Sequence, residues 1–161
     1  MKNDKNIRFT DHDPDALGAL FAKPILVKCQ NCLSMAQVSV DLSDEITDPE
    51  VSFSCVKCGQ SKKRSGKTAS LGGPYDVFFR FPLWLQTEFQ NKTLYAYNEP
   101  HLNWLINYVS AEIRERNLSK DGGYRNRSLS SRIPKWMKES KNREGILKAL
   151  FKLKKILDVK S

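Results

Sequence analysis

Between residue 23 and about residue 63, apolar and polar positions alternate in short runs broken by turn residues, the period of strands rather than helices. Residues 24–28 (PILVK) form the first run. Residues 36–41 (AQVSVD) alternate strictly, as a half-buried strand should, and residues 51–54 (VSFS) form a third run after a polar loop. Residues 65–74 (SGKTASLGGP) are rich in Gly and Ser and read as a linker. A second β segment follows, with aromatic-rich runs at 77–81 and 83–89, a turn at 90–92 and a return at 93–97. Pro82 marks an edge or a bulge, because it has no N–H to give to a ladder.

The period then changes. Asn98 is a suitable N-cap with Pro100 in the first turn, and Leu102, Leu105, Ile106, Val109 and Ile113 fall on one stripe of a helix over 98–117. Trp104 and Tyr108 lie on its other side, so the helix is expected to sit between two layers rather than to expose its tryptophan. Residues 117–123 read as a loop. A short helix from Ser128 is interrupted or restarted by Pro134. The last helix spans about 142–158, with Ile146, Leu147, Leu150, Leu153 and Leu157 on one face and Lys148, Lys152 and Lys155 opposite. The predicted fold class is α+β. Residues 1–22 are expected to form a flexible acidic leader with one short helical turn at 16–21, 23–70 a small antiparallel ribbon, 71–98 a β extension, and 99–161 a basic helical region.

Composition narrows the class. The 161 residues carry a net charge of +9, and no run of 18 apolar residues exists to span a bilayer. The first 20 residues lack the apolar stretch of a secretory signal, which leads us to expect a cytoplasmic, reducing location where paired cysteines act as metal ligands. Charge is distributed unevenly: residues 1–50 are net −4, 51–100 net +4 and 101–161 net +9. That asymmetry points to an anionic partner for the C-terminal part.

The four cysteines supply the most specific chemistry. Cys29 and Cys32 form one C-x2-C pair, Cys55 and Cys58 a second, and 22 residues separate the pairs. Each pair follows an apolar strand, and a C-x2-C turn presents two thiolates to one ion, so two turns complete a tetrahedral zinc site. Gly59, after the last ligand, suits a turn needing positive φ. Two disulfides would require an oxidising compartment, rubredoxin-type iron carriers are usually acidic, and a redox C-x-x-C requires a thioredoxin-like βαβ context that is missing. With four cysteine ligands no coordination position is left for water, so the expected role of one Zn²⁺ per chain is structural. Neither His12 nor His101 sits at ligand spacing.

These knuckles resemble the zinc ribbons of transcription factor B and primosomal helicase. The segments FFRFPLWLQTEF, LYAYNEPHL and NRSLSSRIPKWMKESKNR are similar to those of a family of small bacterial zinc-ribbon proteins. The first resemblance implies a fold over about 40 residues; the second covers most of the chain and implies no activity.

Residues 124–143 (YRNRSLSSRIPKWMKESKNR) hold Arg125, Arg127, Arg132, Lys135, Lys138, Lys141 and Arg143 against Glu139 alone. Such a cluster suits phosphate backbone, where each neutralised phosphate releases counterions. Tyr124 and Trp136 are candidates for stacking on unpaired bases, and Ser128, Ser130 and Ser131 for donating to phosphates or capping. Yet Leu129, Ile133, Trp136 and Met137 also make a core stripe, which would leave the cations as a solvated face or a docking site for an acidic protein. Ser65-Gly66-Lys67-Thr68 lacks the upstream glycine, strand and following helix of a phosphate-binding loop. Glu112 and Glu115 beside Arg114 and Arg116 look like surface pairing, and Glu88 and Glu99 make no catalytic pair. The sequence thus predicts a non-enzymatic zinc-ribbon protein that binds nucleic acid through its basic segment, with no small-molecule substrate evident. The alternative is an adaptor for an acidic partner in a transcription or replication assembly, and an enzyme with an unrecognised site comes last.

Overall fold

The computed structural model describes residues 8–10, 21–41, 49–66, 72–111, 113–115 and 133–160. In chain order the strands are β1 (Arg8–Thr10), β2 (Ile25–Lys28), β3 (Met35–Val40), β4 (Glu50–Ser54), β5 (Ser61–Ser65), β6 (Leu85–Phe89), β7 (Lys92–Ala96) and β8 (Ile113–Glu115). The helices are α1 (Glu99–Ser110), α2 (Lys135–Lys138) and α3 (Arg143–Lys160), giving the α+β class that the pattern predicts.

The ribbon is an antiparallel sheet in the order β2-β3-β4-β5. Its register pairs Ile25 with Val38, Val27 with Ala36, and Val38 with Phe53. Residues directly opposite share a face, so these alternating apolar positions converge on one side and are all buried. β5 (SKKRS) has no apolar residue and gave no pattern to read; its pairing with β4 makes it a strand.

The aromatic run at 77–81 is not a strand, as its composition suggested, but a turn. The buried carboxylate of Asp76 dictates it: Oδ1 accepts from the backbone N–H groups of Phe78 (2.9 Å) and Phe79 (2.7 Å), and Oδ2 from that of Phe81 (2.6 Å). A side chain that satisfies the backbone locally competes with the ladder. The chain then runs along the outer edge of β2. The Lys28 N–H donates to Pro82 O, the Trp84 N–H to Leu26 O, and the Leu26 N–H to Tyr97 O. The β6–β7 hairpin turns through Gln90 and Asn91, both with positive φ (46° and 60°), the pair that a two-residue hairpin turn favours.

Two apolar clusters result. The first joins the ribbon to Val77, Phe78, Leu83 and Tyr97; the second joins the hairpin to α1 and α3 through Leu85, Leu94, Leu102, Leu105, Ile106, Val109, Ile146, Leu150 and Leu153. The stretch read as one β extension therefore divides between them. Trp104 packs against both clusters and stacks on Tyr108 at 5.1 Å, which places α1 between two layers as expected.

Helix α1 starts where the sequence suggested, with Asn98 Oδ1 accepting from the His101 N–H at 3.1 Å. It stops at Ser110, short of 117. The Ser110 hydroxyl donates to Ile106 O at 2.6 Å, Ala111 is extended, and Ile113–Glu115 pairs in parallel with Arg8–Thr10. A strand thus lies within the stretch read as a leader. Phe21, also in that stretch, packs its ring against Phe78 and Tyr97 at 5.8 and 6.1 Å. The rest of the acidic leader lies outside the described residues.

His101 is buried, and its Nδ1 accepts from the Tyr97 N–H at 3.1 Å. Burial lowers its pKa from the usual 6.5 to about 4. Below pH 6.5 the unfolded chain takes up a proton that the folded one resists, so this contribution is complete above pH 6.5 and lost as pH falls toward 4. The loss amounts to about 3 kcal/mol. His101→Gln, which keeps an acceptor, is expected to flatten that part of the stability profile when chemical denaturation is followed from pH 7 to 4.

Near the start of α3, a Cβ on Gly145 would lie 2.7 Å from Cε2 of Phe89, whose ring is stacked on Trp136 at 5.8 Å. Gly145→Ala gains up to about 1 kcal/mol of helix propensity, but overpacking typically costs about 1–3 kcal/mol. We expect a net loss, read as a lower denaturation midpoint; a rise would show that the Phe89 ring can move aside freely.

Candidate metal centre

The ends of the ribbon strands bring all four cysteines together. The Cys29 and Cys58 sulfurs are 3.7 Å apart, those of Cys32 and Cys55 3.5 Å, and all four lie within 4.8 Å of one another. A tetrahedral ion with bonds of about 2.3 Å to sulfur sets its ligands about 3.8 Å apart. The residues fit one such ion.

The two knuckles share one backbone design. The Cys29 N–H donates to Ser34 O and the Leu33 N–H to Cys29 O; the Cys55 N–H donates to Gln60 O and the Gly59 N–H to Cys55 O. After the second cysteine of each pair the chain turns left-handed, with φ of 60° at Leu33 and 77° at Gly59. Only the glycine signalled this in the sequence. Leu33 holds a conformation that costs an L-residue about 1–2 kcal/mol.

As bare thiols the four groups are poorly matched. The Asn31 side chain and the Gln60 backbone pull Cys58 down to about 6. At Cys55 the Cys58 backbone also lowers the pKa, but burial and the neighbouring thiols prevail and push it up to about 11. The Ser34 backbone holds Cys32 below its ordinary value. A divalent cation relieves this crowding by binding thiolates, and the proton it displaces from Cys55 at neutral pH makes binding stronger as pH rises. Exposed Lys28 and Lys57 flank the ligands and offset part of the negative charge that four thiolates leave around such an ion.

Comparison of the chain with protein-family models, curated proteins and solved structures returned no significant match.

Of the predicted basic residues, Lys135, Lys138, Lys141 and Arg143 lie among the described residues. Arg125, Arg127 and Arg132, with Tyr124, Ser128, Leu129, Ser130 and Ser131, lie outside the described residues. Lys135 and Lys141 are exposed, Lys138 and Arg143 half-buried, and Lys141 meets Glu139 at 3.4 Å. Trp136 is committed to packing: it lies on Phe89 and joins Ile133 and Met137 in the helical cluster, with Lys92 over its ring at 6.0 Å. It is not a free platform for a base. Sequence reasoning missed the cations of β5 (Lys62, Lys63 and Arg64) because a strand without apolar residues carries no periodic signal.

Removal of one ligand tests the centre. Cys55→Ser is expected to lose bound metal, measured by elemental analysis, together with the cooperative thermal transition. A metal-free wild-type chain that still melts cooperatively would refute the assignment.

Proposed function

We propose that this chain is a zinc-ribbon protein that binds nucleic acid, with the metal fixing the ribbon and the basic C-terminal part meeting the phosphate backbone. Zinc is the ion favoured by four thiolates at these separations in a chain with no other redox feature. Four such ligands leave no position for substrate, so the centre is structural, and our reading is of a non-enzymatic protein. One observation carries the nucleic-acid reading: residues 133–160 hold nine Lys/Arg against three Asp/Glu, and Lys135, Lys141, Lys148, Lys152 and Lys155 are all exposed. Among the described residues no helix is long and apolar enough to cross a membrane.

A second reading, docking on an acidic protein, is favoured by the outer face of α3. There the exposed side chains of Phe151, Ile156 and Val159 alternate with Lys148, Lys152 and Lys155. Direct competition between nucleic acid and a captured acidic partner separates the two.

The test uses salt. Each true phosphate contact contributes about −0.9 to the slope of log affinity against log salt on duplex DNA, and about −0.7 on a single strand. Replacing Arg125, Arg127 and Arg132 with Ala is expected to weaken binding and make the slope shallower by about 2–3. Zinc content and melting should be unchanged. Wild-type protein that binds no nucleic acid at low salt would overturn the reading.

A further inference from the structure

The strand that the sequence pattern passed over carries a second interface. We propose, resting on the nucleic-acid reading above, that β5 and the aromatic turn at 76–81 form a contact surface for single-stranded nucleic acid.

β5 is the outer strand of the ribbon sheet, and three of its five residues are Lys62, Lys63 and Arg64. Its register sets Lys62 opposite Phe53 and Arg64 opposite Val51, and sets Lys63 opposite Ser52. Lys62 and Arg64 therefore stand at the rim of the core-facing side, and Lys63 on the other side. The turn crosses at that rim. The Arg64 guanidinium donates to Phe78 O, and Lys62 Nζ lies over the Phe81 ring at 5.4 Å. The rings of Phe79 and Phe81 stack on each other at 5.4 Å and 13°, and both stay half-buried rather than entering the core. Phe53 packs against both in T-shaped contacts, at 6.3 and 5.1 Å. On the same turn, Arg80 lies over the exposed ring of Tyr75 at 5.3 Å.

Among the described residues, the carboxylates near Lys62 and Lys63 do little to cancel their charge. Asp76 is fully buried and gives its oxygens to three backbone N–H groups of the turn. Glu50 pairs with Lys63 at 3.0 Å, but both side chains are largely exposed (59% and 71%), a pair weak enough to exchange for phosphate. Lysines on an edge strand are an ordinary guard against pairing with another chain. That guard does not require a stacked pair of rings held half-open beside it. Cations next to partly exposed rings are what a single strand needs, since its bases are free to stack while its phosphates track the charge. In a duplex the bases already stack on one another.

The experiment uses the full chain loaded with zinc and follows the anisotropy of labelled oligothymidylate and of a duplex of equal length across a salt series. The variant Lys62→Ala is expected to bind oligothymidylate several-fold more weakly, with a slope shallower by about 0.7. Phe79→Leu keeps apolar bulk but removes the ring. It should weaken oligothymidylate binding about tenfold, without changing the slope or the duplex affinity. Zinc content and melting report whether each variant is folded. Should Phe79→Leu not fold, photo-cross-linking of wild-type protein to a bromouracil-substituted strand decides instead, and cross-links within residues 61–66 or 72–83 support the surface. If both variants keep wild-type affinity for the single strand, or every cross-link falls in 124–143, the surface is wrong while the basic-segment reading stands. If wild-type protein binds neither probe, both readings fail.

Discussion

Four sulfurs gathered within 4.8 Å at the ends of two strand pairs resist close approach as thiolates, and one cation turns that repulsion into the tie that orders the ribbon. The rest of the structure is built from there. Cys29 follows β2 and Cys55 follows β4, so the metal ties two non-adjacent strands with β3 between them. Among the described residues the sheet buries six apolar side chains on one face, a small core for four strands to rest on unaided.

The remaining apolar surface of the ribbon is closed by chain that comes later. The aromatic turn covers Phe53, and the backbone around Leu83 covers the edge of β2. Helix α1 then carries the connection into a second core, where its stripe meets α3 and the hairpin. Metal and hydrophobic burial thus act on different parts of one molecule. The cysteines govern the first cluster, and the leucines of α1 and α3 the second.

The parts legible in the sequence are those in which one residue type reports one physical demand. The C-x2-C spacing gave the metal centre, Asn98 the start of α1, and the Leu153 and Leu157 period the last helix. The unread parts share a reason: the residue that decides each acts through a partner invisible to pattern. Asp76 converts a strand-like aromatic run into a turn by accepting three backbone N–H groups. β5 exists because β4 pairs with it. Helix α1 ends early because β8 finds a partner over a hundred residues upstream. Leu33 takes a left-handed conformation that its type argues against, because its knuckle must match the one at Gly59.

The sealed outer edge of β2 also has a consequence for synthesis. A nascent chain holds all four cysteines once residue 58 has left the ribosome, so metal capture can begin then. The backbone groups of Leu26 and Lys28, however, wait for Pro82, Trp84 and Tyr97. Throughout that interval the half-built ribbon presents a bare strand edge to its surroundings, and neighbouring nascent chains on the same message carry the matching one. Translation speed over residues 59–97 therefore sets how long the ribbon is open to mispairing with its own copies.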